Sequence, residues 1–230
     1  MAKVISVVIP TMWKANEFLF KLLPLIEWSF HVGEIIIVDN NPAEAPLDEL
    51  QKYHKIVRHV NEKNVYWNKS ANIGAALAVN EVLCFANDDM LFDPYGFDFI
   101  ARNITDEHGL VTVNADIMNR GSENAAMIPN IKFVPTVKQK NGATCLMFIT
   151  KSNYRSIPEE LRHHFGDTYL YDMMVKEGKT NHTVDNWTIL TPMQVTTRTV
   201  PEVHEVIEQD WEIAEKVFKK HGLENPIRYA

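Results

Sequence analysis

Apolar and polar positions alternate in blocks along this chain. The run Val4-Ile5-Ser6-Val7-Val8-Ile9 is rich in β-branched residues, ends at Pro10-Thr11 and predicts a first strand. Phe18, Leu19, Leu22, Leu23 and Ile26 then recur at helical spacing, in a stretch interrupted by Pro24. Residues 34–38 read as a buried parallel strand that stops at the turn Asp39-Asn40-Asn41-Pro42. Residues 55–60 predict a third strand, residues 70–79 a helix capped by Asn68 or Ser70, and residues 81–86 a fourth strand ending at Asn87-Asp88-Asp89. The second half is less regular. Residues 110–114 and 143–149 read as strands, 169–177 as a short helix closed by Gly178, and 182–190 as a further strand. Residues 203–221 form an amphipathic pattern stopped by Gly222 and Pro226.

Strands separated by helical stretches predict an α/β fold with a mostly parallel sheet. Ligands of open α/β sheets sit beyond the carboxyl ends of the strands. Thr11, Asp39 and the Asn87-Asp88-Asp89 turn are therefore expected on one rim. A length of 230 residues with 46 % hydrophobic content fits a single domain. The net charge of −7 argues against a general nucleic-acid binder. Residues 131–182 nevertheless carry 8 basic and 5 acidic side chains, which either face an anionic acceptor or are a chance surplus on solvated loops. Cys84 and Cys145 lie in apolar stretches and read as reduced core residues. The N-terminus reads as a strand, not a signal peptide, and no apolar run reaches the ~18 residues of a membrane span. A cytoplasmic setting is expected.

Asn87-Asp88-Asp89 is the strongest chemical signal. Mg²⁺ and Mn²⁺ prefer oxygen ligands, commonly one or two carboxylates plus substrate phosphates. An acidic turn at a strand end suits such a site; an Asx-turn before Asp93-Pro94 is the competing reading. Neither a Walker loop nor a G-x-G-x-x-G fingerprint is present. His163-His164 reads as a loop near an acceptor rim, and Trp67, Trp187 and Trp211 as packing residues that could instead stack on rings.

The order of these segments resembles family-2-type glycosyltransferases. Residues 4–11 look like their opening strand, I-I-I-V-D-N at 35–40 like their second strand, and S-A-N-I-G-A-A at 70–76 like their N-x-G helix start. Asn87-Asp88-Asp89 after V-L-C-F-A resembles their DXD-type metal motif, and G-A-T-C-L-M-F-I-T-K at 142–151 the strand lining their acceptor side. The resemblance covers roughly residues 3–180. It implies a GT-A fold: one domain over 1–230, with a nucleotide-sugar half (1–92), an acceptor half (93–200) and a C-terminal helix (201–230).

The resemblance also implies site roles. Thr11, Asp39, Asn72 and Asp88 would contact the donor, a UDP-sugar first. Asp89 would bind Mn²⁺ or Mg²⁺, with His204 as a further ligand. An inverting base belongs in F-G-D-T-Y-L at 165–170, which has one acid where the family often has two or three. Asp167 is the expected base and Asp172 the reserve; a helix N-cap is the competing reading of Asp167 and a turn former that of Asp39. A glycan, a protein or a hydroxylated DNA base is the expected acceptor. With DNA, Lys132, Lys138, Lys140, Arg155 and Arg162 would contact phosphates. A non-catalytic nucleotide-sugar-binding protein and a nucleotidyltransferase are the alternatives.

Overall fold

The computed structural model describes residues 2–113, 130–136, 145–187, 189–192 and 195–226. Its elements run β1 (Ile5–Thr11), α1 (Asn16–Trp28), β2 (Val32–Asp39), α2 (Leu47–Leu50), β3 (Ile56–Val60), α3 (Tyr66–Leu77), β4 (Val82–Ala86), β5 (Leu91–Phe92) and α4 (Tyr95–Asn103). They continue with β6 (His108–Val113), β7 (Lys132–Pro135), β8 (Leu146–Thr150), α5 (Gly166–Lys176), β9 (Thr180–Asp185), β10 (Ile189–Leu190), α6 (Val195–Thr199) and α7 (Pro201–Lys220). Eight strands form one sheet in the order β3-β2-β1-β4-β8-β6-β9-β7. β1 to β4 are mutually parallel, β8 runs antiparallel between β4 and β6, and β6 and β9 are parallel again. The expected mostly parallel α/β sheet with flanking helices is present.

Side-chain parity along the strands builds a core on each face. Ile5, Val7 and Ile9 of β1, with Ile35 and Ile37 of β2, pack under Leu19, Leu22 and Ile26 of α1 and Phe97 and Ile100 of α4. Val8, Ile36, Val38 and Phe85 point the other way, to Ala71 and Ala75 of α3, Leu170 and Met174 of α5, and Ala214 and Phe218 of α7. These strands are covered on both sides, so they read as continuous apolar runs, not as alternation.

Several boundaries differ from the sequence expectation. α1 continues through Pro24 as one helix. α3 begins at Tyr66, not at residue 70, so neither Asn68 nor Ser70 caps it; both are buried inside the helix, and Asn64 Oδ1 accepts the Tyr66 N–H at 2.9 Å instead. The stretch expected as one strand over 182–190 splits at Asn186, whose φ of 61° turns the chain. β9 stays in the main sheet while β10 pairs antiparallel with β5. Residues 114 and 142–144 of the predicted strands lie outside the described residues. Both cysteines are buried free thiols. Among the described residues no helix is long and apolar enough to cross a membrane.

Gly74 shows how closely α3 lies on the sheet. A Cβ there would stand 2.2 Å from Val8 Cγ1, on a short, fully buried side chain that cannot swing away. In an uncrowded helix Gly→Ala gains ~0.5–1 kcal/mol. Here the sign reverses, and Gly74→Ala is predicted to destabilise by about 1–3 kcal/mol through overpacking. Urea denaturation measures this; an unchanged or raised midpoint would mean that β1 yields to the helix.

Candidate active site

β1 pairs with β2 on one side and with β4 on the other, so chain connectivity reverses between β1 and β4. The crevice beyond their carboxyl ends is the topological switch point of the sheet, where ligands bind in open α/β folds. Thr11 closes β1, and Asn87-Asp88-Asp89 follows β4. The Thr11 hydroxyl donates to Asp88 Oδ2 at 2.6 Å and accepts the Trp13 backbone N–H at 2.9 Å. The backbone N–H of Asn87 donates to the Cys145 carbonyl at 2.9 Å, which ties the acidic turn to the lead-in of β8.

A cavity of about 330 Å³ opens over this turn. Its walls include Thr11, Met12, Asn40, Asn64, Tyr66, Trp67, Asp88, Asp89, Cys145, His163, His164, Thr196, Val203 and Ile207. Among the described lining residues there is no Lys or Arg. Burial pushes the Asp88 carboxyl up to about 7; the Thr11 hydrogen bond opposes the rise and the Asp89 charge adds to it. Burial also raises Asp89, partly offset by the Val195 backbone N–H at 3.4 Å from Oδ2. Asp89 Oδ1 is buried with no hydrogen-bond partner. Two desolvated carboxylates, one with an orphaned oxygen and neither with a protein cation in the cavity wall, fit a hard divalent cation. No cluster of three or more His, Cys, Asp or Glu side chains stands in metal-holding geometry among the described residues.

The other expected donor residues are placed differently. Asp39 ends β2 fully buried, behind the cavity wall and outside it. Its Oδ1 accepts from Trp13 Nε1 at 2.8 Å and from the Asn41 N–H at 2.9 Å, and its Oδ2 from Arg58 Nε at 2.9 Å and Nη2. Asn40, its neighbour, faces the cavity and is held by Ser70, Asn61 and the Val65 N–H. Asn72 lies outside the cavity. Its Oδ1 accepts from the Tyr154 hydroxyl and the Ile157 N–H, and its Nδ2 donates to the Ile157 carbonyl, which stitches α3 to the 154–157 segment.

α5 begins at Gly166 after Phe165 at φ 62°. Asp167 is therefore the second helical residue, not the N-cap; it is half-buried, is not among the residues lining the cavity, and its Oδ1 accepts the Thr168 N–H at 2.8 Å. The Cys145 thiol is pushed up to about 12, by burial first and then by the charges of Asp89 and Asp167. Both carboxylates are thus close enough to Cys145 for their charges to act on it. Asp172 is buried five residues further along α5, about 140° round the helix from Asp167, and lies outside the cavity. His204 is exposed; the α7 residues facing the cavity are Val203 and Ile207. His163 and His164 both line it, and burial lowers His163 to about 4, with the His164 charge adding to the effect.

Across residues 6–175 the sequence matches the family described as glycosyl transferase family 2. The chain belongs to glycosyl transferase family 2. Solved structures agree on the fold. S. aureus TarS (residues 1–349) superposes with a TM-score of 0.57 at 15 % identity, over 94 % of this chain and 71 % of that one. GalNAc-T7 with UDP, GalNAc and Mn²⁺ gives 0.60 at 12 % identity, over 83 % of this chain and 44 % of that one. The mannosyltransferase PcManGT from Pyrobaculum calidifontis, in complex with GDP-Man and Mn²⁺, gives 0.60 at 12 %, over 83 % and 57 %. This chain thus spans about half the length of the latter two. A search of curated sequences finds no match.

The fold is therefore GT-A and the protein a glycosyltransferase. Within this glycosyltransferase the expected cationic patch is largely engaged. Lys132 stands 3.9 Å from Asp185, Arg155 pairs with Glu177 at 2.7 Å, and Arg162 bonds Gln209 and stacks over Tyr66 at 5.4 Å. Lys138 and Lys140 lie outside the described residues. Trp187 is core, packed on Phe92 and Phe148; Trp211 stacks on His164; Trp67 lines the cavity with its indole N–H buried and unpartnered. Sequence reading missed Arg58, Trp13 and Asp210. Only Asp210 carried a signal, a charge on the apolar stripe of the last helix.

The raised Asp88 carboxyl gives a stability prediction. Its folded value of about 7 exceeds its ordinary 3.8, so ionising it costs folding free energy that sets in above the ordinary value and is complete above about 7. Asp88→Asn removes the charge and keeps an acceptor for Thr11. The metal-free variant is predicted to melt a few degrees higher than the parent at pH 8, with a smaller gain at pH 5. Equal melting temperatures at pH 8 would show that the carboxylate is solvated.

Proposed function

We propose that this glycosyltransferase moves a sugar from a nucleoside diphosphate, UDP first, to an uncharged hydroxyl with inversion at the anomeric carbon. The carrying observation is the buried Asp88–Asp89 pair at the switch-point crevice, with Asp89 Oδ1 unpartnered and no Lys or Arg in the described cavity wall. A diphosphate in such a cavity needs its charge neutralised by something other than the protein. A divalent cation, Mn²⁺ or Mg²⁺, held by Asp89 with Asp88 beside it, would supply that neutralisation when bound. The UDP bound in two of the structural neighbours, GalNAc-T7 and the S. aureus TarS complex, and the Mn²⁺ in GalNAc-T7 and PcManGT support the same reading.

On the donor side, Thr11 keeps Asp88 oriented through its hydroxyl, and Asn40 and Asn64 offer neutral amides to the nucleoside. Asp39 acts from behind, bonding Trp13 and Arg58 so that the loops after β1 and β2 keep their shape. On the acceptor side, Asp167 takes the proton of the incoming hydroxyl. That oxygen bonds to the anomeric carbon as the bond to the diphosphate oxygen breaks, and the nucleoside diphosphate leaves. Asp172, buried and turned away, and His204, exposed, have no part in this step. Among the described residues the wall of His164, Thr196, Val203 and Ile207 carries no Lys or Arg, which supports a glycan over a polyanion such as DNA.

Thermal shifts with UDP, GDP, CDP, dTDP and ADP, each with and without Mn²⁺, test the donor side. UDP with Mn²⁺ is expected to stabilise the protein, by roughly 2.7 kcal/mol at ~100 times its dissociation constant. Asp89→Ala should lose the metal-dependent part. No response to any diphosphate with metal would remove the basis for the donor site. Asp167→Asn should bind UDP–Mn²⁺ normally while turnover falls by ~10²–10⁴-fold; turnover near the parent's would exclude Asp167 as the base.

A further inference from the structure

Val203, Val206, Asp210, Ala214 and Val217 recur along the buried face of α7, and Asp210 is fully buried among them. A buried carboxylate persists only when its oxygens are satisfied. Asp210 Oδ1 accepts the Arg162 N–H at 3.0 Å, and Oδ2 accepts those of His163 and His164, each at 2.7 Å. Three successive backbone amides thus converge on one side chain, a nest of the kind that binds anions.

The same loop is gripped from the other side by α3. Asn68 Nδ2 donates to the carbonyls of Leu161 at 3.1 Å and His164 at 2.9 Å, and its N–H reaches the Arg162 carbonyl at 3.0 Å. The amides of the loop therefore go to α7 and its carbonyls to α3. Directly after it comes Phe165, in the left-handed region at φ 62°. Next is Gly166, where a Cβ would stand 2.0 Å from Asn68 Oδ1. Asp167 is the following residue. Between Asp210 and Asp167 the backbone has little freedom to drift.

We propose that Asp210 is a positioning residue. Its carboxylate fixes the backbone of residues 162–164 and so sets where the Asp167 carboxylate and the two cavity-lining imidazoles stand. The inference rests on the reading of Asp167 as the base. It also goes beyond the family match, which ends at residue 175. A charged acceptor makes shorter and stronger bonds than an amide oxygen. Displacing a reacting group by about 1 Å can cost ~10²-fold in rate. Asp210→Asn keeps one acceptor oxygen but turns an NH₂ toward at least one of the three N–H donors.

The test compares the parent, Asp167→Asn, Asp210→Asn and the double variant. UDP–Mn²⁺ affinity is measured by calorimetry. Catalysis is measured as UDP release by hydrolysis of UDP-glucose, UDP-galactose or UDP-N-acetylglucosamine, whichever the parent turns over fastest. Hydrogen exchange of the 162–164 amides reports the contact itself. Asp210→Asn is expected to exchange these amides faster, bind UDP–Mn²⁺ within twofold of the parent, and hydrolyse ~10- to 100-fold more slowly. The double variant should fall little below Asp167→Asn. Should Asp210→Asn not fold, Asp210→Glu, which keeps a carboxylate but lengthens it by one methylene, carries the same comparison. Parent-like hydrolysis with accelerated exchange, or a loss of UDP–Mn²⁺ binding that matches the loss of rate, overturns the positioning role. Parent-like hydrolysis by Asp167→Asn, or a parent that releases UDP from none of the three, instead overturns the reading of Asp167 on which it rests.

Discussion

Burying Asp88 and Asp89 side by side at the end of β4 is costly, because desolvation and mutual repulsion both act against their charged forms. The protein leaves much of that cost uncompensated. Thr11 supplies one hydroxyl to Asp88, Val195 one long amide contact and Thr191 a side-chain bond to Asp89, while Asp89 Oδ1 has no partner. Arg58, the nearby cation on β3, is committed to Asp39. Among the described residues no Lys or Arg lines the crevice beside the carboxylate pair. On the proposed function such a site would bind a metal–diphosphate unit better than either component alone, since the cation would answer the carboxylates and the phosphates would complete its shell.

Keeping the pair in place takes strain nearby. Trp13, Tyr66 and Phe165 adopt φ of 62°, 64° and 62°, a region that bulky side chains rarely occupy. Trp13 sits where the chain leaves β1, Tyr66 and Phe165 where it enters α3 and α5, and side-chain bonds hold each turn. The Thr11 hydroxyl and Asp39 hold Trp13, Asn64 Oδ1 accepts the Tyr66 N–H, and the Asn68–Asp210 grip precedes Phe165. The strained turns and the raised carboxyls belong to one design, in which the frame of sheet and helices stabilises a site that would not hold its shape alone.

The sheet was legible in the sequence because its strands are covered on both faces, and such strands announce themselves as uninterrupted β-branched runs. The rim followed from where those runs end, so Thr11 and Asp88–Asp89 were found together. Helix starts were not legible. Those of α3 and α5 are set by left-handed Tyr66 and Phe165, which no propensity favours, and the polar residues that looked like caps are interior. Asp39 and Asn72 were placed at the donor by resemblance, yet their bonds run to Trp13, Arg58, Tyr154 and Ile157. Those partners are 19 to 85 residues away in sequence, and no local pattern reveals such pairings. Asp210 was hidden for the same reason, although its position on an apolar stripe was itself a clue.

The two halves of the cavity also differ in what holds them. The donor rim rests on β1, β2 and β4, inside the stretch shared with the family. The acceptor wall takes Thr196, Val203 and Ile207 from α6 and α7, beyond that stretch, and its loop is tied to α7 through Asp210. A change of acceptor would then need no change at the metal turn. α7 could be exchanged or re-registered while the donor half kept its geometry, provided that some group still collected the three amides at residues 162–164. On the proposed function, the last helix would be the element through which this chain individualises its site, since it would supply both the surface an acceptor meets and the anchor that aims the base.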